Sequence, residues 1–167
     1  MTRVYFDVCC LNRPFNDQTQ DRIRLEAFAV LSVLRRIEMG EWLGITSEAA
    51  ETEIANDTNV ERRTKVQKYA RLAKVFVIVG EDETQRSLEL QAFGFGAYDA
   101  LHVACAERAE SDVLLTVDDR FLRIAVRIGN ALHVKVANPV NPSHPTWFRW
   151  LRRCRRRAGR RSAARSP

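Results

Sequence analysis

The stretch RVYFDV, residues 3–8, decides how the rest of the chain is read. It reads as a β-strand: Val4, Tyr5 and Phe6 are apolar or aromatic types that favour extended backbone, and the run closes on an acid, Asp7. An acid that ends a buried first strand and is followed by apolar Val8-Cys9-Cys10-Leu11 is hard to explain as surface decoration.

Working outward, short β-rich runs alternate with longer helical patterns. Asp21–Met39 has helical periodicity, with Ile23, Phe28, Leu31, Leu34 and Ile37 as the apolar stripe, and Gly40 ends it. Leu43–Thr46 is a second strand. Ser47 then supplies a helix N-cap for Glu48–Asn56. Glu61–Leu72 is a further helix. KVFVIV at Lys74–Val79 is a continuous apolar run, which predicts a strand buried on both faces. Asp82–Phe93 and Ala97–Ala109 are helices split by Gly94-Phe95-Gly96. Asp112–Val117 is a strand, Arg120–Ile128 a helix and Leu132–Val136 the last strand. Five strands with helical crossovers predict an α/β fold, a three-layer α/β/α sandwich around a central, mostly parallel five-stranded sheet. Residues 1–140 form that domain. Residues 141–167 are a Pro-containing and then Arg-rich tail, in which Trp147, Phe148 and Trp150 could dock on the core.

In a parallel sheet, ligands bind beyond the carboxyl ends of the strands. Asp7 ends strand one, and Asp118 and Asp119 follow strand four. The helix that leaves strand two carries Glu51 and Glu53, and helical geometry does not choose between them. The helix with Asp99 must deliver the chain to the start of strand four, so its first turn lies at the carboxyl edge. Acids distant in sequence thus share one edge. Each also has a local explanation, since carboxylates at helix N-termini complement the helix dipole and Asp118 is a natural N-cap. His102, one turn after Asp99, reads as a packing residue. Arg13 suits a phosphate contact or a pairing with Asp17, and Arg120 is similar.

VYFDVCCLNRPF, ITSEAAETEI, YDALHVACAE and LLTVDDRF, in this order over roughly residues 3–140, together resemble a PIN-domain protein, in particular the VapC-like ribonuclease toxins. The resemblance implies an acidic site of Asp7, Glu53 (six beyond Ser47), Asp99 and Asp118. The Thr-x-Asp match selects Asp118 over Asp119 and makes Thr116 a supporting hydroxyl. Where many relatives carry Asn or Ser between that Thr and Asp, this chain has Val117. The implied activity is metal-dependent endoribonuclease cleavage leaving a 5′-phosphate and a 3′-hydroxyl, with RNA as substrate, an antitoxin as partner and homodimerisation as a family habit.

Phosphodiester hydrolysis needs an activated water and neutralised phosphoryl charge, and Mg²⁺ or Mn²⁺ supplies both. Hard cations prefer carboxylate oxygens. On this reading Asp7, Asp99 and Asp118 hold the metal, while Glu53 positions the attacking water or assists its deprotonation. Without metal such carboxylates repel, and at least one is expected to have a raised pKa.

The chain carries 27 Lys and Arg against 21 Asp and Glu. Residues 149–167 hold nine Arg and no acid, which leaves 18 basic and 21 acidic residues in 1–148. A mildly acidic body therefore carries a basic tail, either a solvated segment or a nucleic-acid-binding arm. The four cysteines have neither zinc-ligand nor disulfide spacing. The start is unlike an export signal and no run suits a membrane span, so a cytoplasmic location is expected. The rival function is a non-catalytic RNA-binding or interaction protein that uses the tail, its acids being helix caps. A haloacid-dehalogenase-like phosphatase would want an acid at position 9, which is Cys9. A receiver domain would want paired acids before Asp7.

Overall fold

The computed structural model describes residues 1–140. The expected alternation is present. β1 (Thr2–Phe6) leads into a short helix α1 (Val8–Asn12) and a 3-10 turn (Arg13–Phe15), followed by α2 (Asp21–Glu38) and β2 (Trp42–Ser47). Then come α3 (Glu48–Ala55), α4 (Val60–Ala70), β3 (Val75–Val77), α5 (Glu81–Ala92) and α6 (Ala97–Arg108). β4 (Val113–Leu115), α7 (Asp119–Arg127), a 3-10 turn (Gly129–Ala131) and β5 (Lys135–Ala137) complete it. The sheet order is β3-β2-β1-β4-β5, and every pairing is parallel. The tail after residue 140 lies outside the described residues, as does the aromatic cluster expected to dock.

Alternation along the central strands builds two cores. Val4, Phe6, Val113 and Leu115 face one side and pack with residues of α1, α2 and α4. Tyr5 and Leu114 face the other and pack with residues of α5, α6 and α7. α3 bridges the two, with Ala50 and Ile54 in the first core and Ala49 in the second. The result is a three-layer α/β/α sandwich, as a parallel sheet requires.

Two details depart from the sequence reading. β3 is an edge strand rather than one buried on both faces: it pairs with β2 alone, and Phe76 and Ile78 are exposed. The apolar stripe of α2 is also rotated. Phe28 and Leu31 point outward, whereas Ala27, Val30, Val33, Leu34 and Ile37 are buried. A Cβ added to Gly44 of β2 would lie 2.9 Å from the Ile37 side chain and 3.2 Å from the Ala73 backbone, so α2 is seated tightly against a strand that has no side chain at that point. Gly40 stops α2 as expected. Its positive φ of 71° lets Glu41 N–H reach Arg36 O at 2.9 Å and Gly40 N–H reach Ile37 O at 3.0 Å, which satisfies the last carbonyls of the helix.

Candidate active site

Asp7 sits one residue past β1. Its backbone N–H donates to Leu115 O at 3.0 Å, which continues the ladder with β4, and its side chain caps α1. It is buried, so its charge needs partners. Oδ2 accepts from Thr116 Oγ1 at 2.7 Å and from the Cys9 thiol at 2.8 Å, and Oδ1 accepts the Cys9 N–H at 3.4 Å. Burial, together with the charge of Asp7, pushes the Cys9 thiol pKa up, which keeps the sulfur a proton donor. Thr116 also accepts the Asp118 N–H at 3.1 Å. A single hydroxyl at the end of β4 therefore ties Asp7 to the turn that carries Asp118.

Asp118 is the N-cap of α7, and its Oδ1 accepts from Arg120 N–H at 2.6 Å and Phe121 N–H at 3.0 Å. Asp99, in the first turn of α6, accepts the Gly96 N–H at 3.4 Å. Three helix N-termini thus deliver three carboxylates to the carboxyl edge of the sheet, where the helix dipoles favour negative charge. Local capping accounts for each acid singly, but it does not explain their convergence. Burial raises the pKa of Asp99, and the charges of Asp7 and Asp118 raise it further against the lowering effects of the Gly96 N–H and His102. Like charges are crowded here, and Asp99 carries the electrostatic cost.

Glu53 reaches the same place from the last turns of α3. One oxygen each from Asp7 and Glu53 and one nitrogen of His102 lie within 4.8 Å of one another. Asp99 and Asp118 lie outside this 4.8 Å group, though Asp99 feels the charges of Asp7, Asp118 and His102. Two carboxylates converging at such range, with two more beside them, offer an oxygen-rich donor set that suits a hard divalent cation.

His102 is buried, as a packing residue would be, but both ring nitrogens are engaged by polar groups. Nε2 lies 2.7 Å from Glu53 Oε2 and Nδ1 lies 2.8 Å from the Tyr5 hydroxyl. Burial alone would lower its pKa; the hydrogen bond to Glu53 and the charges of Asp7, Glu53 and Asp99 outweigh it and raise the pKa.

Asp119 is exposed and turned to Arg22, whose guanidinium forks onto it at 2.5 and 2.8 Å; the same contact lowers the Asp119 pKa. Arg13 pairs with Glu26 at 3.0 Å rather than with Asp17, and its Nη2 donates to Val117 O at 3.4 Å. Arg120 donates to Gly94 O. Val117 is buried and offers no polar side chain to the site. Glu26, unremarked in the sequence, is a buried hub that also binds Arg22 at 3.0 Å and Asn138 Nδ2 at 2.9 Å. Its only sequence signal is an acid on the sheet-facing side of α2. Among the described residues, Cys9, Cys10 and Cys105 are free thiols, and no helix is long and apolar enough to cross a membrane.

A parallel sheet with carboxylates gathered at its carboxyl edge defines the class, an α/β protein with an acidic sheet edge. The chain belongs to the PIN domain family, whose model matches residues 10–127. No curated protein sequence matches it. Among solved structures it is similar to a chain in the crystal structure of VapBC2 from Rickettsia felis bound to a DNA fragment from their promoter. The TM-score is 0.55 at 13% identity, covering 82% of this chain and 98% of that one, so the likeness is one of fold.

Proposed function

We propose that the protein is a metal-dependent endoribonuclease, with residues 1–140 as the nuclease unit and Asp7, Glu53, Asp99 and Asp118 as its site. The observation that carries this reading is the convergence of Asp7 and Glu53 within 4.8 Å, beside an Asp99 whose pKa is raised first by burial and then by the charges of Asp7 and Asp118. A stability role gives little reason to assemble such a cluster.

Asp7, Asp99 and Asp118 would hold Mg²⁺ or Mn²⁺. When bound, the ion neutralises phosphoryl charge and makes the attacking water more acidic. Thr116 and Cys9 fix the Asp7 carboxylate by two hydrogen bonds to Oδ2, which leaves Oδ1 facing the cluster. Glu53 orients the water and accepts its proton. Membership of the family supports this chemistry, and the mildly acidic body is consistent with a site that engages RNA through a cation. Val117 contributes no side-chain hydrogen bond to the water, so that task falls on Glu53.

The likeness to a VapBC2 chain supports the further reading that the protein is the toxin of a cytoplasmic toxin–antitoxin pair. Leu25, Phe28 and Leu31, spaced by three residues on α2, form an exposed apolar row of the kind that a protein partner covers. A homodimer would use similar surface. A short reading frame beside the gene, whose product co-purifies with this chain, is the discriminating observation.

The test is cleavage of structured RNA by purified wild type and Asp7→Asn in Mg²⁺, Mn²⁺ or EDTA. Cleavage by wild type alone, abolished by EDTA, is expected; equal cleavage by both proteins would end the assignment. The rival, a non-catalytic RNA-binding protein, is favoured by the capping roles of Asp7, Asp99 and Asp118 but leaves Glu53 unexplained. On that reading, deleting residues 149–167 abolishes RNA association, whereas the nuclease retains metal-dependent cleavage.

A further inference from the structure

The helix that carries Glu53 is held at two points by one buried polar relay. At its start, Ser47 caps α3 by accepting the Ala50 N–H at 3.2 Å. The same Ser47 hydroxyl lies 2.6 Å from the Tyr5 hydroxyl. Tyr5 lies 2.8 Å from His102 Nδ1, and His102 Nε2 lies 2.7 Å from Glu53 Oε2. Ser47, Tyr5 and His102 are each completely or almost completely buried, while the Glu53 side chain is 34% exposed. The relay thus runs from the protein interior to a carboxylate at the mouth of the site. Tyr5 is two residues before Asp7, so the strand that places Asp7 also anchors the group that grips Glu53.

Proton placement fixes the direction of the last bond. A carboxylate at Glu53 can only accept, so neutral His102 carries its proton on Nε2, which leaves Nδ1 to accept from the Tyr5 hydroxyl. Imidazolium carries protons on both nitrogens. In either state Nε2–H donates to Glu53 Oε2, so that nitrogen has no lone pair for a metal, and Oε1 is left for water. A glutamate with three side-chain torsions loses considerable conformational entropy on being fixed. A donor that is itself locked by packing and by a second hydrogen bond meets that cost before substrate arrives.

We infer that His102, backed by Tyr5 and Ser47, is a positioning residue that sets the Glu53 carboxylate in its working orientation. The inference rests on the ribonuclease reading above. Misplacing a reacting group by about 1 Å costs on the order of 100-fold in rate, and removing a supporting hydrogen bond behind a site residue costs roughly 10- to 100-fold.

The experiment is steady-state cleavage of a labelled RNA in Mn²⁺, with each variant's melting transition recorded alongside. His102→Phe should lower kcat by roughly 10- to 100-fold while KM and the half-activating Mn²⁺ concentration stay at wild-type values. His102→Gln, which restores an N–H donor to Glu53, should recover most of that loss. His102→Phe combined with Glu53→Gln should be no slower than Glu53→Gln alone, because the histidine acts through the glutamate. Tyr5→Phe, nearly volume-conserving, gives a smaller kcat loss in the same cycle and carries the test if His102→Phe does not fold. Wild-type kcat in a folded His102→Phe, or losses that simply multiply with Glu53→Gln, overturns the inference and leaves the nuclease intact. A raised Mn²⁺ requirement in His102→Phe overturns it in favour of a ligand role. A wild type inert toward RNA removes the ribonuclease reading and this inference with it.

Discussion

Thr116 and Asp7 lie 109 positions apart in the chain and meet in a buried hydrogen bond of 2.7 Å between Oγ1 and Oδ2. Parallel pairing of β1 with β4 makes the meeting unavoidable, since Phe6 is opposite Leu115 and each strand ends one residue before the pair. The acidic edge is therefore a product of sheet register as much as of the acids themselves.

Replacing Thr116 by Val keeps the shape and removes the donor. Asp7 loses its shortest bond, and the Asp118 N–H loses its acceptor. Leaving such groups unsatisfied costs about 1–3 kcal/mol, which urea denaturation would measure. Cleavage should fall less than in Asp7→Asn; an unchanged unfolding midpoint would show that water or another donor replaces the hydroxyl.

Asp99→Asn removes one negative charge from the cluster. In metal-free buffer at neutral pH the variant should melt higher than wild type, because the burial of a charge and its repulsion by Asp7 and Asp118, which raise the Asp99 pKa, are gone. Added Mn²⁺ should reverse the order. A ligand at about 100 times its Kd stabilises by about 2.7 kcal/mol, and a neutral carboxamide in place of the carboxylate makes a poorer site. Calorimetry with and without Mn²⁺ reads both effects, and an identical metal response in the two proteins would exclude Asp99 from the metal set.

Gly44→Ala places a methyl where Ile37 and the Ala73 backbone already stand. Backbone is a hard wall, so overpacking of about 1–3 kcal/mol is expected, with α2 displaced from β2. Thermal unfolding monitored by circular dichroism checks it. A neutral result would mean that α2 moves freely on the sheet.

The Asp57–Arg62 ion pair gives a pH signature away from the site. Arg62 hydrogen bonds hold the Asp57 pKa down at about 2, against an ordinary 3.8. A carboxylate whose pKa is depressed on folding contributes stability that is complete above the unfolded value and is lost as pH falls through the folded one. Asp57→Asn should therefore melt below wild type at pH 7. The gap should narrow below about pH 3.8 and close near pH 2. Arg62 is open to solvent although Asp57 is largely covered, so screening keeps the gap small. A difference that persists to pH 2 would assign the effect to packing of α4 instead.

Periodicity along the chain carries most of the fold: the five strands and the longer helices are where hydrophobic patterning puts them. What it does not carry is which face of an element is buried. In α2 the larger residues Phe28 and Leu31 attract the eye, yet the buried side of the helix carries Ala27, Val30, Val33, Leu34 and Ile37. Likewise KVFVIV looks doubly buried in isolation, and only the strand order makes it an edge. α1 is hidden because it is five residues long and runs into Arg13-Pro14. For the site, acids adjoining strand ends are visible one at a time, and the family resemblance singles out four of them. The relay from Ser47 to Glu53 is invisible by nature, since its members come from β1, the end of β2, α3 and α6 and become neighbours only in three dimensions.

β5 runs parallel to the other strands, so the chain leaves the sheet on the side where the carboxylates gather, and the bond from Asn138 to Glu26 pins that exit beside α2. Nine arginines follow in residues 141–167. The described chain thus ends at the same sheet edge as Asp7, so any segment that follows starts from the side of the acids.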